Sequence, residues 1–132
     1  MTHDFSGKAM AVTGSSGIGL GAALHLARSG ARVFLAGIDP AMNDKAAALA
    51  AGEGLAISLH QVNVADEASV RGWADQIAAE TDILHGLVNA AGQQSYGTAE
   101  TTSPAEWDQA IAVNMRSCYL TSHILYLSLI HI

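Results

Sequence analysis

A glycine-rich stretch near the amino terminus constrains this chain more than any other feature. An apolar run, Ala9 to Val12, leads into residues 13–19, which read Thr-Gly-Ser-Ser-Gly-Ile-Gly, and a helical pattern follows. This order is typical of a strand, a tight turn and a helix start, where glycines let the backbone approach a ligand closely. Because the first N–H groups of a helix carry partial positive charge, the stretch predicts a phosphate-binding turn. Glycines also occur in ordinary loops, so the turn alone is weak support.

Composition limits the classes of protein that remain. A chain of 132 residues, half of them apolar, predicts one soluble globular domain. The formal charge of −6 argues against a nucleic-acid partner. Cys118 is the only cysteine and the six histidines show no ligand spacing, so no metal site is expected. The amino terminus does not resemble a signal peptide and no apolar run is long enough for a membrane span. We therefore expect a cytoplasmic protein with no membrane partner.

Apolar strands alternate with helical patterns along the chain. Strands are predicted over 9–12, 32–36, 55–62 and 86–89. Helices are predicted over 17–29 and 41–51, after a cap at Asp66, after a capping box at Ser103, and from Asn114 onward. Strands that alternate with helices imply a parallel sheet covered on both faces, which is an α/β fold.

Some residues indicate a helix by their spacing, and others have an expected role in packing or in a turn. In the first helix, apolar residues recur at helical spacing at Ile18, Ala22 and Leu26. Cys118, Trp73 and Trp107 fall on predicted helices, where packing is the expected role. The serines at 15 and 16 have no base beside them, so we expect them to bind phosphate or shape the turn rather than act as nucleophiles.

Four motifs together resemble the short-chain dehydrogenase/reductase family, over residues from about 8 to about 122. They are the glycine turn, Asn63-Val64 after the third strand, Asn89-Ala90-Ala91-Gly92 after the fourth strand, and Asn114 in Val113-Asn114-Met115. Each motif is modest alone, but their order and their positions on the elements are specific. The resemblance implies a Rossmann-type doubly wound sheet with strand order 3-2-1-4 and a dinucleotide at the point where that order reverses.

The resemblance also implies which residues form the site. Cofactor contacts would come from Gly14, Ser15, Ser16, Gly17, Ile18, Gly19, Asp39, Asn63, Val64, Asn89, Ala90 and Gly92. Asn114 would be a catalytic residue that helps to hold a proton-relay water in the intact enzyme. The family transfers hydride between NAD or NADP and an alcohol or ketone, which would be a small-molecule substrate. Its intact members commonly assemble, so a homotetramer or dimer is expected.

The catalytic Tyr-x-x-x-Lys pair of the family is missing from these residues. None of Tyr96, Tyr119 and Tyr126 has a lysine four residues later, and Lys45 is the last lysine. The resemblance therefore implies an amino-terminal, cofactor-binding part of an oxidoreductase, with catalytic Ser, Tyr and Lys beyond the chain end. We expect this part to be inactive alone. The alternative is a non-catalytic nucleotide-binding module of the same fold.

This sequence departs from the family pattern in the glycine turn and after two strands. Only Ser15 and Ser16 lie between Gly14 and Gly17, where three residues are usual, so either the helix starts one residue later or the pyrophosphate fit is worse. Asn63 stands in place of the usual Asp, although its amide can still pair with an adenine edge. Gln93 follows Gly92 where an apolar residue is commoner.

The end of the second strand favours NAD over NADP. Asp39 lies about the expected distance from the glycine turn, although one or two places later than the usual ribose-binding acid. Neither Ile38 nor Ser16 is basic, as a residue that binds a 2′-phosphate would be. The other interpretation of Asp39 is a helix cap before Pro40, and the two roles are compatible.

The last six residues have an unusual composition. Residues 127–132 read Leu-Ser-Leu-Ile-His-Ile, which a common transposon-type sequencing adapter encodes in one reading frame. We therefore expect residues 1–126 to be the native dinucleotide-binding part and 127–132 to be a non-native tail. A natural helix end is the alternative.

Overall fold

The computed structural model describes residues 3–126, so the expected adapter-derived tail at 127–132 lies outside the described residues. Its strands are β1 (Ala9–Thr13), β2 (Arg32–Gly37), β3 (Ile57–Gln61) and β4 (Gly86–Asn89). They pair in parallel in the order β3-β2-β1-β4, which confirms the predicted fold class and strand order. Val12 of β1 lies beside Leu35 of β2 and Val88 of β4. The order of the strands therefore reverses between β1 and β4.

Five α-helices connect and cover the strands. They are α1 (Gly17–Arg28), α2 (Pro40–Gly52), α3 (Glu67–Ala78), α4 (Pro104–Ile111) and α5 (Ser117–Leu125). Three begin at the caps that the sequence predicts, because Asp39, Asp66 and Ser103 each accept backbone N–H groups of the first turn. A π-helical turn, Ala112–Arg116, joins α4 to α5. The sequence predicts helix here but not the extra residue that widens this turn.

The core lies on both faces of the sheet, as expected for parallel strands. On one face Val33 and Leu35 of β2 pack with Leu26 of α1. On the other face Phe34 of β2 packs with Trp73 of α3, and the buried side of α5 joins this cluster. Successive residues of β2 therefore point to opposite faces and both faces are covered. None of the described helices is both long and apolar enough to cross a membrane.

One packing expectation, that for Trp107, is wrong, and one apolar residue at the start of α1 is exposed. Ile18 is 84% exposed, whereas Leu20 in the same turn of α1 packs against the core. Leu26, eight residues after Ile18 in the same helix, is buried. Trp107 is 63% exposed on α4, a helix with no buried residue. Trp73, in contrast, is fully buried against the sheet.

Candidate functional site

A cavity of about 410 Å³ opens at the carboxyl ends of the strands. The segments that follow or end the four strands line it, namely 14–16, 36–39, 62–64 and 90–93. Met42 of α2, Gln109 of α4 and Val113 of the π-helical turn complete the wall. In open parallel sheets, ligands bind outside the carboxyl ends at the point where strand order reverses. The cavity is therefore the candidate site.

Most of the predicted cofactor residues line this cavity. Eight of them do so: Gly14, Ser15, Ser16, Asp39, Asn63, Val64, Ala90 and Gly92. The other four, Gly17, Ile18, Gly19 and Asn89, are not part of the wall, and neither is Asn114. The apolar part of the wall was not predicted, and its members include Ile38, Met42, Val62, Ala91 and Val113. Their proximity to the motifs was the available signal, since apolar side chains usually line most of a ligand cavity.

The glycine turn lines the cavity on one side and packs closely against the loop after β4 on the other. Gly14 has φ +98°, and a Cβ there would lie 3.1 Å from the carbonyl oxygen of Ala90. A Cβ on Gly19 would overlap the carbonyl oxygen of Gly14. Helix α1 begins at Gly17 despite the shortened turn. The turn therefore needs glycine at both positions, for a left-handed backbone at one and for close approach at the other.

Backbone donors are available at the start of α1. Within residues 3–126, the N–H groups of residues 15–19 donate to no other group of the chain. The hydroxyl of Ser16, at the N-cap, makes no capping hydrogen bond. Unpaired N–H groups at a helix start are the groups that bind phosphate oxygens. The turn can therefore hold an anion of that kind.

Thr13 joins the two loops that form the floor of the cavity. Its buried Oγ1 accepts hydrogen bonds from the N–H groups of Ala90 and Ala91, both at 3.1 Å. No separate role was predicted for Thr13, which belongs to the glycine stretch. The available signal was a hydroxyl-bearing residue at the end of a buried strand, directly before the glycine turn. The contact fixes the loop after β4 against the end of β1.

Asn89 and Asn114 make positioning contacts beside the cavity. Asn89 Oδ1 accepts from Thr121 Oγ1 at 2.6 Å and its Nδ2 donates to Ser122 Oγ at 3.3 Å, so this side chain ties β4 to α5. Asn114 Nδ2 donates to the carbonyl of Gln93 at 2.8 Å, and its Oδ1 accepts the N–H of Gln93 at 2.8 Å. The π-helical turn thus holds the loop after β4 through one side chain.

Two polar side chains of the wall, Asp39 and Asn63, already accept hydrogen bonds from the backbone. Asp39 Oδ1 accepts the N–H groups of Ala41 at 2.8 Å and Met42 at 3.2 Å, so the carboxylate caps α2 while it lines the cavity. Asn63 Oδ1 accepts the N–H of Ala65 at 3.0 Å, which leaves its Nδ2 to donate to a ligand. Both interpretations of Asp39 are therefore compatible with its geometry.

The cavity wall carries little charge. Asp39 is the one ionisable side chain among the lining residues, and no Lys, Arg or His belongs to them. In the part of the chain that the structure describes, no group of three or more His, Cys, Asp or Glu side chains could hold a metal ion. Helix-start donors, close-approach glycines and an apolar wall fit an extended ligand that has a phosphate group and flat, weakly polar ends.

Comparisons with known proteins cover nearly the whole chain. A family model described as Enoyl-(Acyl carrier protein) reductase matches residues 12–128. D-beta-hydroxybutyrate dehydrogenase of Cupriavidus necator is 34% identical over 120 residues, which are 90% of this chain and 46% of that protein. D-threitol dehydrogenase of Mycolicibacterium smegmatis is 36% identical over 86% of this chain and 44% of its own length.

A solved structure also matches the fold over nearly the whole chain. The citronellol catabolism dehydrogenase AtuB of Pseudomonas aeruginosa superposes with a TM-score of 0.87 at 28% identity, over 95% of this chain and 52% of that one. The chain spans about half the length of the curated relatives that it matches.

Proposed function

This chain belongs to the short-chain dehydrogenase/reductase family, and from that premise we propose that its cavity binds a nicotinamide dinucleotide, NAD in preference to NADP. The intact protein would use it to interconvert a small-molecule alcohol and ketone. The observation that carries this proposal is the approach of Gly14 to Ala90 at the point where strand order reverses. A dinucleotide needs such a crevice, with a helix start on one side.

The proposed contacts divide along the length of the dinucleotide. The glycine turn would hold the pyrophosphate through Gly14, Ser15, Ser16, Gly17, Ile18 and Gly19. Asp39 would accept a ribose hydroxyl of the adenosine half, and Asn63 and Val64 would contact the adenine. Asn89, Ala90 and Gly92 would form the loop beside the nicotinamide half. Ile18 and Asn89 are not lining residues of the cavity, so these two residues would act through their backbone or their position.

The preference for NAD follows from charge. The 2′-phosphate of NADP would meet the carboxylate of Asp39 and no cation among the lining residues. Desolvating a phosphate without a positive partner is unfavourable, whereas a ribose hydroxyl can donate to the carboxylate. NAD therefore fits this wall better.

Residues 1–132 are proposed to bind but not to catalyse. Bound, the dinucleotide supplies the hydride acceptor or donor. The family's Tyr-x-x-x-Lys pair, which would move the proton, is not among these residues. Asn114, the catalytic residue that the resemblance places here, holds the loop through Gln93 and would act with groups that this sequence does not contain.

We also propose that the intact protein is cytoplasmic and assembles as a homodimer or homotetramer, with no nucleic-acid or membrane partner. Large apolar side chains are exposed around the π-helical turn and its flanking helices, at Trp107, Met115 and Tyr119. Exposed apolar side chains grouped along neighbouring elements favour association with a partner surface. The mass of the purified intact protein in solution tests the proposed assembly, and a monomer would contradict it.

A fluorescence titration with NADH and with NADPH tests the cofactor proposal. We expect saturable binding of both, with NADH tighter. Tighter NADPH would contradict the preference, and binding of neither would overturn the proposed function. A non-catalytic nucleotide-binding module of the same fold is the second candidate, since the residues given lack the catalytic pair. Tyr-x-x-x-Lys encoded downstream in the intact gene favours the enzyme, and its absence favours the module.

A further inference from the structure

A second cavity adjoins the candidate site beside α4. Its volume is about 400 Å³, and it lies between the loop that follows β4 and the first turns of α4. Gln93 and Gln109 line both cavities, so the two spaces are neighbours. Gln93 directly follows Gly92, which belongs to the loop proposed to lie beside the nicotinamide half. Because a substrate has to meet the nicotinamide ring, the second cavity is in a position to hold the part of the substrate that does not react.

Neutral hydrogen-bonding side chains form much of the wall of the second cavity. Three of the lining residues are glutamines, at positions 93, 94 and 109. The Oε1 of Gln94 accepts the Tyr96 hydroxyl at 2.7 Å, which leaves the Nε2 of Gln94 to donate to a ligand. Within residues 3–126, the side-chain amides of Gln93 and Gln109 pair with no other group of the chain. An amide both donates and accepts, which suits a hydroxyl group, since a hydroxyl does the same.

The wall of the second cavity carries a negative charge. Glu106 is a lining residue, and its bonds from the N–H and hydroxyl of Ser103 lower the pKa of this carboxyl group, so it stays ionised at neutral pH. No Lys, Arg or His is among the lining residues in the described part of the chain. Glu100 and Asp108 lie in the same stretch of sequence, and positions 86–115 contain no Lys, Arg or His. An anionic group placed here would lose water and gain no cation, which is unfavourable.

We propose that the second cavity selects the substrate, and that the substrate class is small uncharged alcohols with at least one further hydroxyl group. The inference rests on the proposed function and names the substrate class for it. The further hydroxyl donates to the carbonyl oxygen of one glutamine and accepts from the amide of another. Hydroxy acids are disfavoured, because their carboxylate would face Glu106 with no positive partner. Gln93, Gln94 and Gln109 are then specificity-determining residues.

A merely solvated surface at the three glutamines predicts a different result. In that case the end of the substrate remote from the reacting carbon would contact water, and its chemical nature would not change how efficiently the substrate is used. The relative use of substrates that differ only at this end therefore separates the two interpretations.

Three alcohols that differ in one end group test the inference with the intact protein and NAD. Propylene glycol, isopropanol and lactate share a secondary hydroxyl next to a methyl group, and their other end is a hydroxymethyl, a methyl or a carboxylate group. We expect kcat/KM, followed by NADH formation, to be about fivefold higher for propylene glycol than for isopropanol, as for one hydrogen bond. We expect it to be about tenfold higher for propylene glycol than for lactate. Equal values for propylene glycol and isopropanol, or lactate as the best substrate, overturn the inference.

The variant Gln94→Lys supplies a cation to the second cavity. We expect kcat/KM for lactate to rise about fivefold while that for propylene glycol does not rise. The intrinsic reactivity of each alcohol is the same for every variant, so a changed ratio reports the cavity alone. The matched control is Ala79→Lys, which adds the same charge at the other end of the sheet, where the carbonyl of Glu80 accepts from Arg32 at the start of β2. An unchanged ratio in Gln94→Lys, or an equal change in both variants, contradicts the inference.

Titration with NADH separates this inference from the proposed function. Gln94 does not line the cofactor cavity, so Gln94→Lys should bind NADH as the unmodified protein does. If the intact protein binds NADH but oxidises none of the three alcohols, the inference is overturned and the cofactor proposal stands. If the intact protein does not bind NADH, the proposed function itself fails.

Discussion

Thr13 Oγ1 accepts the backbone N–H of Ala90 at 3.1 Å, although 77 positions separate the two residues in the chain. The contact joins the strands on either side of the point where strand order reverses, directly beneath the cavity. Gly14 then packs its Cα against the same loop, and Asn114 holds that loop from the other side through Gln93. The candidate site is thus two loops held in register by side chains that do not line it.

Replacement of Thr13 by valine should loosen this register. Valine has the shape of threonine but cannot accept the N–H groups of Ala90 and Ala91, which are then left unpaired in a partly buried place. We expect a loss of about 1–3 kcal/mol in the free energy of unfolding, together with weaker NADH binding. Urea denaturation measures the first and fluorescence titration the second. Thr13→Ser keeps the acceptor and should lose much less stability. If valine and serine variants behave alike, the hydroxyl contact is not what holds the loops.

A methyl group at Gly19 should disrupt the glycine turn. Its Cβ would overlap the carbonyl oxygen of Gly14, so Gly19→Ala must shift the glycine turn relative to α1. We expect loss of detectable NADH binding. Gly21→Ala in the same helix is the matched control, because nothing lies within 4 Å of its Cβ. Alanine there should stabilise the chain by about 1 kcal/mol and leave binding unchanged. Equal NADH affinity in both variants would show that the close approach at position 19 is not needed.

Local chemistry explains why much of the fold could be predicted from the sequence. Asp39, Asp66 and Ser103 cap helices because their side chains reach N–H groups only two or three residues away. Strand order followed from the family motifs rather than from any one segment. The hydrogen-bond partners of the Asn89 side chain could not be predicted. Thr121 and Ser122 lie more than thirty positions away, and only the folded sheet brings them near.

Exposure and long-range backbone contacts depend on the whole fold, and these were the features missed or predicted wrongly. Helical spacing places Ile18 on a helix but does not say which side of that helix faces the sheet, and Ile18 lies on the exposed side. Trp107 is exposed because α4 has no buried residue. The prediction that Trp107 packs in the core assumed a surface opposite the helix, which the sequence of the helix does not show. Thr13 was missed because its partners Ala90 and Ala91 contribute backbone groups, which no side-chain motif marks.

The cap of α4 should weaken in acid. The backbone N–H of Ser103 donates to the Glu106 carboxylate at 2.7 Å, and this bond, with a second from the Ser103 hydroxyl, holds the pKa of Glu106 below its ordinary value. A carboxyl group whose pKa is lowered on folding stabilises the folded state above its unfolded pKa, and that stabilisation is lost as pH falls through the lower, folded pKa. We expect stability to fall over this acidic range in the unmodified chain. In Glu106→Gln the dependence should be shallower, since glutamine also completes a capping box but does not titrate. Parallel pH profiles of the two chains contradict the assignment.

Neutralising Asp39 should separate its role as a helix cap from its proposed role in cofactor preference. Asn is as good an N-cap as Asp, so Asp39→Asn should keep the bonds to Ala41 and Met42 and change stability by less than about 0.5 kcal/mol. It removes the one charge of the cavity wall, and we expect NADPH to gain several-fold in affinity while NADH changes little. Asp39→Ala, which also loses the cap, should cost about 1 kcal/mol of stability in addition. Titrations at two salt concentrations add a check, because an effect of charge on the exposed phosphate shrinks as salt screens it. If Asp39→Asn leaves both affinities and their salt dependence unchanged, Asp39 is a helix cap only, and any discrimination between the two dinucleotides must come from uncharged groups.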